Sequence, residues 1–161
     1  MKLLKIWSTA AVLSLCATSA LAQDWPVKPI RFVVPFSAGG ANDLMARAAA
    51  EGAAKELGQP IIVENKPGAG GNVGSSYVAK SAPDGYTFLI SAAGVITNSM
   101  IKKNNPYQDS DLVPVVMIGL SPSVIVVAAD SPYNNLREFV DASKKSDGFN
   151  FATAGTGSTP H

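Results

Sequence analysis

Two short loops of small and hydroxyl-bearing residues are the stretches of this sequence best suited to bind a ligand. Residues 36–40 read FSAGG and residues 154–161 read AGTGSTPH, and each loop follows an apolar run that is typical of a strand. Where strand, loop and helix start follow one another, free backbone N–H groups and a positive helix end face an incoming anion. Neither loop contains Lys or Arg. The pattern indicates a carboxylate or phosphate site made of N–H groups and hydroxyls, although small residues also serve βα loops that bind nothing.

The sequence lacks the side-chain combinations that catalysis and metal binding need. His161 is the only histidine, and no nucleophile with a base and no metal-ligand spacing accompanies it. The polar segment 103–111 does not match the pattern of a calcium loop. Residues 68–74 match neither the Walker A loop nor the dinucleotide fingerprint, in which Val73 would have to be glycine. We expect no enzyme activity, no cofactor and no metal, and a secreted α/β hydrolase is the less favoured alternative.

Residues 1–22 have the pattern of a secretory signal peptide. Two lysines precede an apolar run, and Ala20-Leu21-Ala22 is a cleavage site of the A-x-A type. Ordinary cleavage is favoured over lipid attachment at Cys16, because a bulky leucine precedes that cysteine. Cleavage removes two lysines and the only cysteine, which turns the formal net charge of +1 slightly negative. The sequence predicts a periplasmic protein without disulfides, and no basic patch favours nucleic acid or an anionic membrane.

Upstream of residue 113, strand-like and helix-like stretches alternate. β-Branched apolar runs predict strands at 30–36, 61–65 and 87–91. Helical spacing predicts helices at 43–57, 72–80 and around 97–102. Asn42 is the predicted N-cap of the first helix, and the glycine loop 66–71 is interpreted as a packing device. This alternation predicts an α/β fold, with a mostly parallel sheet and helices on both faces.

The second part of the sequence departs from this alternation. Two apolar runs, 113–120 and 124–129, follow one another directly, which predicts a crossover into a second domain. A helix at 136–145, capped by Asn134 or Asn135, and a strand at 149–153 are predicted next. We divide the mature chain into a first α/β domain at 23–112 and the start of a second at 113–161. Because no helix follows to cover the last strand, we expect the N-terminal portion of a longer protein.

Three stretches carry a resemblance to a known family. They read WPVKPIRFVVPFSAGGANDLMAR, LGQPIIVENKPGAGGNVGSSYVAKSAPDGYT and FATAGTGSTPH. In this order they resemble the substrate-binding receptors of tripartite tricarboxylate transporters, also called Bug receptors, whose members are about twice as long. The resemblance implies a periplasmic solute-binding-protein fold of the type II kind, with two α/β domains that close on a ligand, here truncated. It implies an extracytoplasmic receptor that captures a small carboxylate and delivers it to the permease.

The resemblance also assigns ligand-binding residues by position. The ligand would lie between the loop after the first strand and the loop of the second domain, with the loop after the third strand as a further wall. The residues so assigned are Phe36, Ser37, Ala38, Gly39, Gly40, Asp43, Ala93, Gly94, Thr156, Gly157, Ser158 and His161.

The resemblance leaves the ligand and the state of the chain open. The expected ligand is a dicarboxylate, a tricarboxylate or an acidic amino acid, and the expected protein partners are the membrane permease subunits. We expect a monomer and no binding to nucleic acid. A truncated receptor remnant without function is the alternative.

Overall fold

The computed structural model describes residues 25–101 and 103–153, so the predicted signal peptide and the loop 154–161 lie outside the described residues. The described strands are β1 (Ile30–Val34), β2 (Ile61–Asn65) and β3 (Thr87–Leu89). The described α-helices are α1 (Ala41–Leu57), α2 (Asn72–Ala79), α3 (Gly94–Ile101) and α4 (Leu136–Ser143). Each of these elements overlaps a stretch for which the sequence predicts the same kind of structure.

β1 is the middle strand of a parallel three-stranded sheet, in the order β2-β1-β3. Phe32 of β1 pairs with Val63 of β2 on one side and with Phe88 of β3 on the other. Ile30 and Val33 are almost completely buried. A central parallel strand must be apolar on both faces because helices cover both, and the run IRFVV meets that need better than β2 or β3.

The helices that link these strands lie on opposite faces of the sheet. α1 leads from β1 to β2 and contacts both strands, whereas α2 leads back past β1 to β3 and contacts those two. Right-handed crossovers that run in opposite directions place their helices on opposite faces. The predicted α/β class with a parallel sheet is therefore confirmed.

The N-terminus of α1 differs from the prediction in one residue that matters for the site. Gly40 is the N-cap, so the prediction of Asn42 in that position is wrong. Gly40 has the extended backbone that a cap requires, whereas Asn42 already lies in the first helical turn. At the other end, Gly58 takes a left-handed conformation and donates its N–H to the carbonyl of Ala54, which stops the helix.

α2 lies very close to the sheet at Gly74. A Cβ atom on this residue would lie 2.8 Å from the Cβ of Pro35 and 3.0 Å from the carbonyl oxygen of Lys66. Pro35 directly follows β1, so the backbone of α2 rests on the start of the loop 36–40. Only glycine fits this contact without displacing the helix.

The apolar runs at 113–120 and 124–129 do not form strands in the structure. In the described part of the chain, neither run joins the three-stranded sheet, and their large apolar side chains, such as Val116 and Val126, are exposed. A β-branched run has strand propensity, but a strand exists only when a neighbour pairs with its backbone groups. The predicted strand at 149–153 is likewise absent. The division into two domains stays a prediction.

α4 and a small aromatic cluster are the main structural features of residues 131–153. The Asn135 side chain accepts a hydrogen bond from the Glu138 N–H at 3.0 Å, which identifies Asn135 as the cap of the predicted helix. The Phe139 ring lies 5.8 Å from that of Tyr133 and 5.3 Å from that of Phe149. None of the helices in residues 25–101 and 103–153 has the length and apolar character needed to cross a membrane.

Candidate functional site

The loops after β1 and β3 lie at the same end of the sheet, where the strands have their carboxyl ends. Because both strands run in the same direction, their carboxyl ends lie side by side, and Ile90 donates its N–H to the carbonyl of Val33 at 2.9 Å. The chain runs from β1 to β2 on one side of β1, and then crosses back to β3 on the other side of β1. The carboxyl ends of β1 and β3 therefore form a topological switch point. Ligands of open parallel sheets bind in the crevice at such points. The predicted residues of loop 36–40 and the predicted third wall at Ala93 and Gly94 therefore follow neighbouring strands at the same end of the sheet.

The loop 36–40 presents backbone rather than charged side chains. Ser37, Ala38, Gly39 and Gly40 are exposed, and Gly39 has a φ of +83°, which favours glycine. Gly40 caps α1 without a side chain, so no described side chain satisfies the first N–H groups of the helix. The N–H groups at the start of α1 that no side chain caps, together with the positive end of the α1 dipole, can bind an anion at this loop.

The Asp43 side chain, in the first turn of α1, holds this loop by a hydrogen bond to its backbone. The residue is 2 % exposed, and its Oδ2 accepts hydrogen bonds from the Gly39 N–H at 2.8 Å and the Arg47 Nε at 3.0 Å. Its Oδ1 accepts a bond from the Asn65 side-chain amide at 3.0 Å. Bonds from Arg47, Gly39 and Asn65 hold the pKa of Asp43 at about 2, below its ordinary value of 3.8. The carboxylate is thus ionised and engaged within the protein, a geometry suited to fixing the loop.

Two residues of this arrangement were not among the predicted site residues. Arg47 lies one helical turn after Asp43 and forms an ion pair with it, and the i, i+4 spacing of acid and base was the available sequence signal. Asn65 lies at the end of the predicted strand 61–65, 22 positions from Asp43. No local pattern reveals a contact over that distance.

The helix α3, which begins at Gly94, is tied to the second glycine loop through buried amides. Asn98 of α3 is fully buried and donates to the carbonyl of Gly70 at 3.3 Å and to the side chain of Asn72 at 2.8 Å. Asn72 in turn donates to Asn105 at 2.9 Å. Loop 66–71 is therefore held against α3 by the Asn98 side chain.

The remaining predicted contacts lie outside the described residues. They are the four positions of the second-domain loop, Thr156, Gly157, Ser158 and His161. Residues 25–101 and 103–153 contain no group of three or more His, Cys, Asp or Glu side chains that could hold a metal ion.

Comparison with known proteins places the chain among transport receptors. Residues 45–161 match the family described as the tripartite tricarboxylate transporter family receptor, TctC. A UPF0065 protein of Bordetella pertussis is 42% identical over 161 residues, which are 99% of this chain and 50% of that protein. Protein BugT of the same species is 38% identical, over 90% of this chain and 46% of its own length.

Two solved structures resemble the fold of this chain. Rpa4515 of R. palustris, determined with adipate, has a TM-score of 0.71 and 33% identity over 76% of this chain and 42% of its own. The periplasmic binding protein BugD has a TM-score of 0.51 and 45% identity over 52% of this chain and 28% of its own. The chain spans about half the length of the curated relatives it matches. The family resemblance is confirmed, and the chain belongs to the TctC family of tripartite tricarboxylate transporter receptors.

Proposed function

We propose that the protein is a periplasmic receptor that binds a small carboxylate at the crevice between the loops after β1 and β3. The observation that carries this proposal is the exposed loop 36–40, which stands with the N-terminus of α1 at the topological switch point of the sheet. The buried, ionised Asp43 fixes that loop through the Gly39 N–H. Such a site offers N–H donors at fixed positions in a loop that contains no Lys or Arg, which suits a carboxylate.

The chemistry of the loop and the comparisons both favour a carboxylate. Arg47 lies near the loop, and its bonds to Asp43 and Asn65 engage two of its three nitrogen atoms. The loop itself contains no Lys or Arg, so its means of binding an anion are N–H groups, the Ser37 hydroxyl and the helix dipole. A related structure with a TM-score of 0.71 was determined with adipate. We infer a dicarboxylate, a tricarboxylate or an acidic amino acid as the ligand class.

The other parts of the proposal follow from family membership. We propose that Ala93 and Gly94 form a wall of the site, and that Thr156, Gly157, Ser158 and His161 close it from a second domain. The bound ligand is then delivered to the permease subunits of a tripartite tricarboxylate transporter. The signal peptide at 1–22 directs export to the periplasm and is then cleaved, and the receptor acts as a monomer without enzyme activity.

Replacing Gly39 by valine is expected to weaken carboxylate binding by about tenfold or more. A β-branched residue strongly disfavours a φ of +83°, so the loop must rotate its N–H groups out of the anion site. Binding is measured by titration calorimetry with adipate, citrate and glutamate as probes.

Gly58→Val is the matched control for this test. Gly58 lies at the opposite end of α1, has a φ of +65°, and, like Gly39, has open space around the position of a Cβ. The control introduces the same kind of backbone strain away from the site, so it should bind as the unmodified chain does. Equal affinity of the Gly39→Val variant and the unmodified chain, or no binding of any probe by either, would contradict the proposal.

A further inference from the structure

We propose that Asn65 is a positioning residue of the carboxylate site, whose single amide group holds the loop 36–40 in its binding conformation. The inference rests on the proposed function, because the loop it holds is the proposed anion loop. Asn65 lies at the end of β2, not in the loop or in α1. It reaches the site only through its side chain.

The Asn65 amide joins three parts of the site at once. Its Nδ2 donates to the carbonyl oxygen of Phe36 at 3.1 Å and to Oδ1 of Asp43 at 3.0 Å. Its Oδ1 accepts from a terminal nitrogen of Arg47 at 3.3 Å. Phe36 opens the loop, and Asp43 holds Gly39 from the helix side. One side chain thus connects both ends of the loop to the sheet.

The backbone of Asn65 is fixed by the sheet, whereas the loop that its side chain holds has few backbone hydrogen bonds of its own. Residue 65 pairs with Val34 in the parallel ladder, and the next residue, Lys66, donates its N–H to the Val34 carbonyl at 2.8 Å. Within the loop, the backbone bond from Gly40 to Ser37 is long, at 3.5 Å. The position of the loop therefore depends on side-chain bonds from the sheet and from α1.

The chemistry of the three contacts requires an amide at this position. A carboxylate of the same shape could still accept from Arg47, but its second oxygen would face two acceptors, the Phe36 carbonyl and the Asp43 carboxylate. Glu64 and Lys66, the chain neighbours of Asn65, pair with each other at 3.6 Å. Repulsion by Asp43 would therefore displace the loop until the introduced group binds a proton, which restores one donor.

The first arm of the test measures the loop without any ligand. Amide hydrogen exchange of Gly39 is followed by NMR in the unmodified chain, in Asn65→Ala, and in the exposed control Asn104→Ala. The Gly39 N–H is the donor to Asp43, so losing the Asn65 support should speed its exchange by about tenfold or more. The control should not change it. Unchanged Gly39 exchange in Asn65→Ala would overturn the proposal.

The second arm measures adipate affinity against pH in Asn65→Asp, with Asn104→Asp as control. Asn65→Asp should bind about tenfold more weakly than the unmodified chain near pH 8 and recover most of that loss near pH 5, as the introduced carboxyl binds a proton. The unmodified chain and the control should show no such recovery. A loss in Asn65→Asp that is equal at both pH values would overturn the proposal.

The two arms separate this inference from the proposed function. Faster Gly39 exchange in Asn65→Ala, together with no binding of adipate, citrate or glutamate by the unmodified chain, would support the positioning role and reject the carboxylate receptor. Adipate binding by the unmodified chain that is equally tight in Asn65→Ala would keep the receptor and reject the role of Asn65.

Discussion

Replacing Gly74 by alanine is expected to destabilise the α/β unit by about 3 kcal/mol, at the upper end of the usual cost of overpacking. The added Cβ would lie 2.8 Å from the Pro35 Cβ and 2.9 Å from the Pro35 Cα. The third neighbour, the Lys66 carbonyl, is also backbone, so neither side can give way by a rotamer change. The free energy of unfolding is measured by urea denaturation followed by circular dichroism.

Gly52→Ala provides the matched control for this substitution. Gly52 also lies inside a helix, α1, but a Cβ there would meet nothing within 4 Å. Alanine at this position should stabilise the chain by about 0.5–1 kcal/mol, because it lowers the entropy of the unfolded chain and favours helix. If both substitutions change the unfolding free energy in the same direction, the result would contradict the close contact between Gly74 of α2 and Pro35.

Replacing Asp43 by asparagine is expected to remove much of the acid sensitivity of the fold. The pKa of Asp43 is lowered from 3.8 to about 2, first by the hydrogen bond from Arg47 and then by those from Gly39 and Asn65. A depressed pKa stabilises the folded state fully above 3.8, and this stabilisation is lost as the pH falls toward 2. The unmodified chain should therefore lose stability over that range more steeply than the variant.

The variant should also be the less stable protein at neutral pH. Asparagine cannot pair with Arg47, and its NH₂ group would face the Gly39 N–H or the Asn65 amide, which are both donors. Melting temperatures are recorded over the acid range, with Asp141→Asn on the exposed side of α4 as control for the loss of one charge. Parallel acid limbs for the unmodified chain and the Asp43→Asn variant would show that Asp43 does not support the loop.

The parallel sheet could be predicted from the sequence because the signals for its strands and helices lie in short stretches of neighbouring residues. Each of β1, β2 and β3 is an apolar run followed by a loop of small residues, and the alternation with helices limits the topology to a few choices. The prediction was wrong at the cap of α1, since Asn42 and Gly40 are both acceptable caps and only the backbone conformation decides between them.

The support of the site could not be predicted, because it depends on long-range contacts. Asp43 of α1 was assigned to the site, but its partner Asn65 comes from β2, and nothing local connects the two. At the apolar runs 113–120 and 124–129 the local signal is present, but in the described part of the chain the long-range strand pairing is not. Their strand propensity is strong, yet no described residue pairs with them, and propensity alone does not make a strand.

The most direct test of the carboxylate site is a titration of the isotopically labelled chain with adipate, followed through its backbone amide signals. We expect saturable shifts at the amides of Ser37, Gly39, Gly40 and Gly94, which surround the crevice, and none in α4. The Asp43→Asn variant should show the same shifts only at higher adipate concentrations. A carboxylate site at this crevice would be rejected if neither adipate nor citrate nor glutamate shifted these amides, or if the saturable shifts appeared elsewhere in the chain.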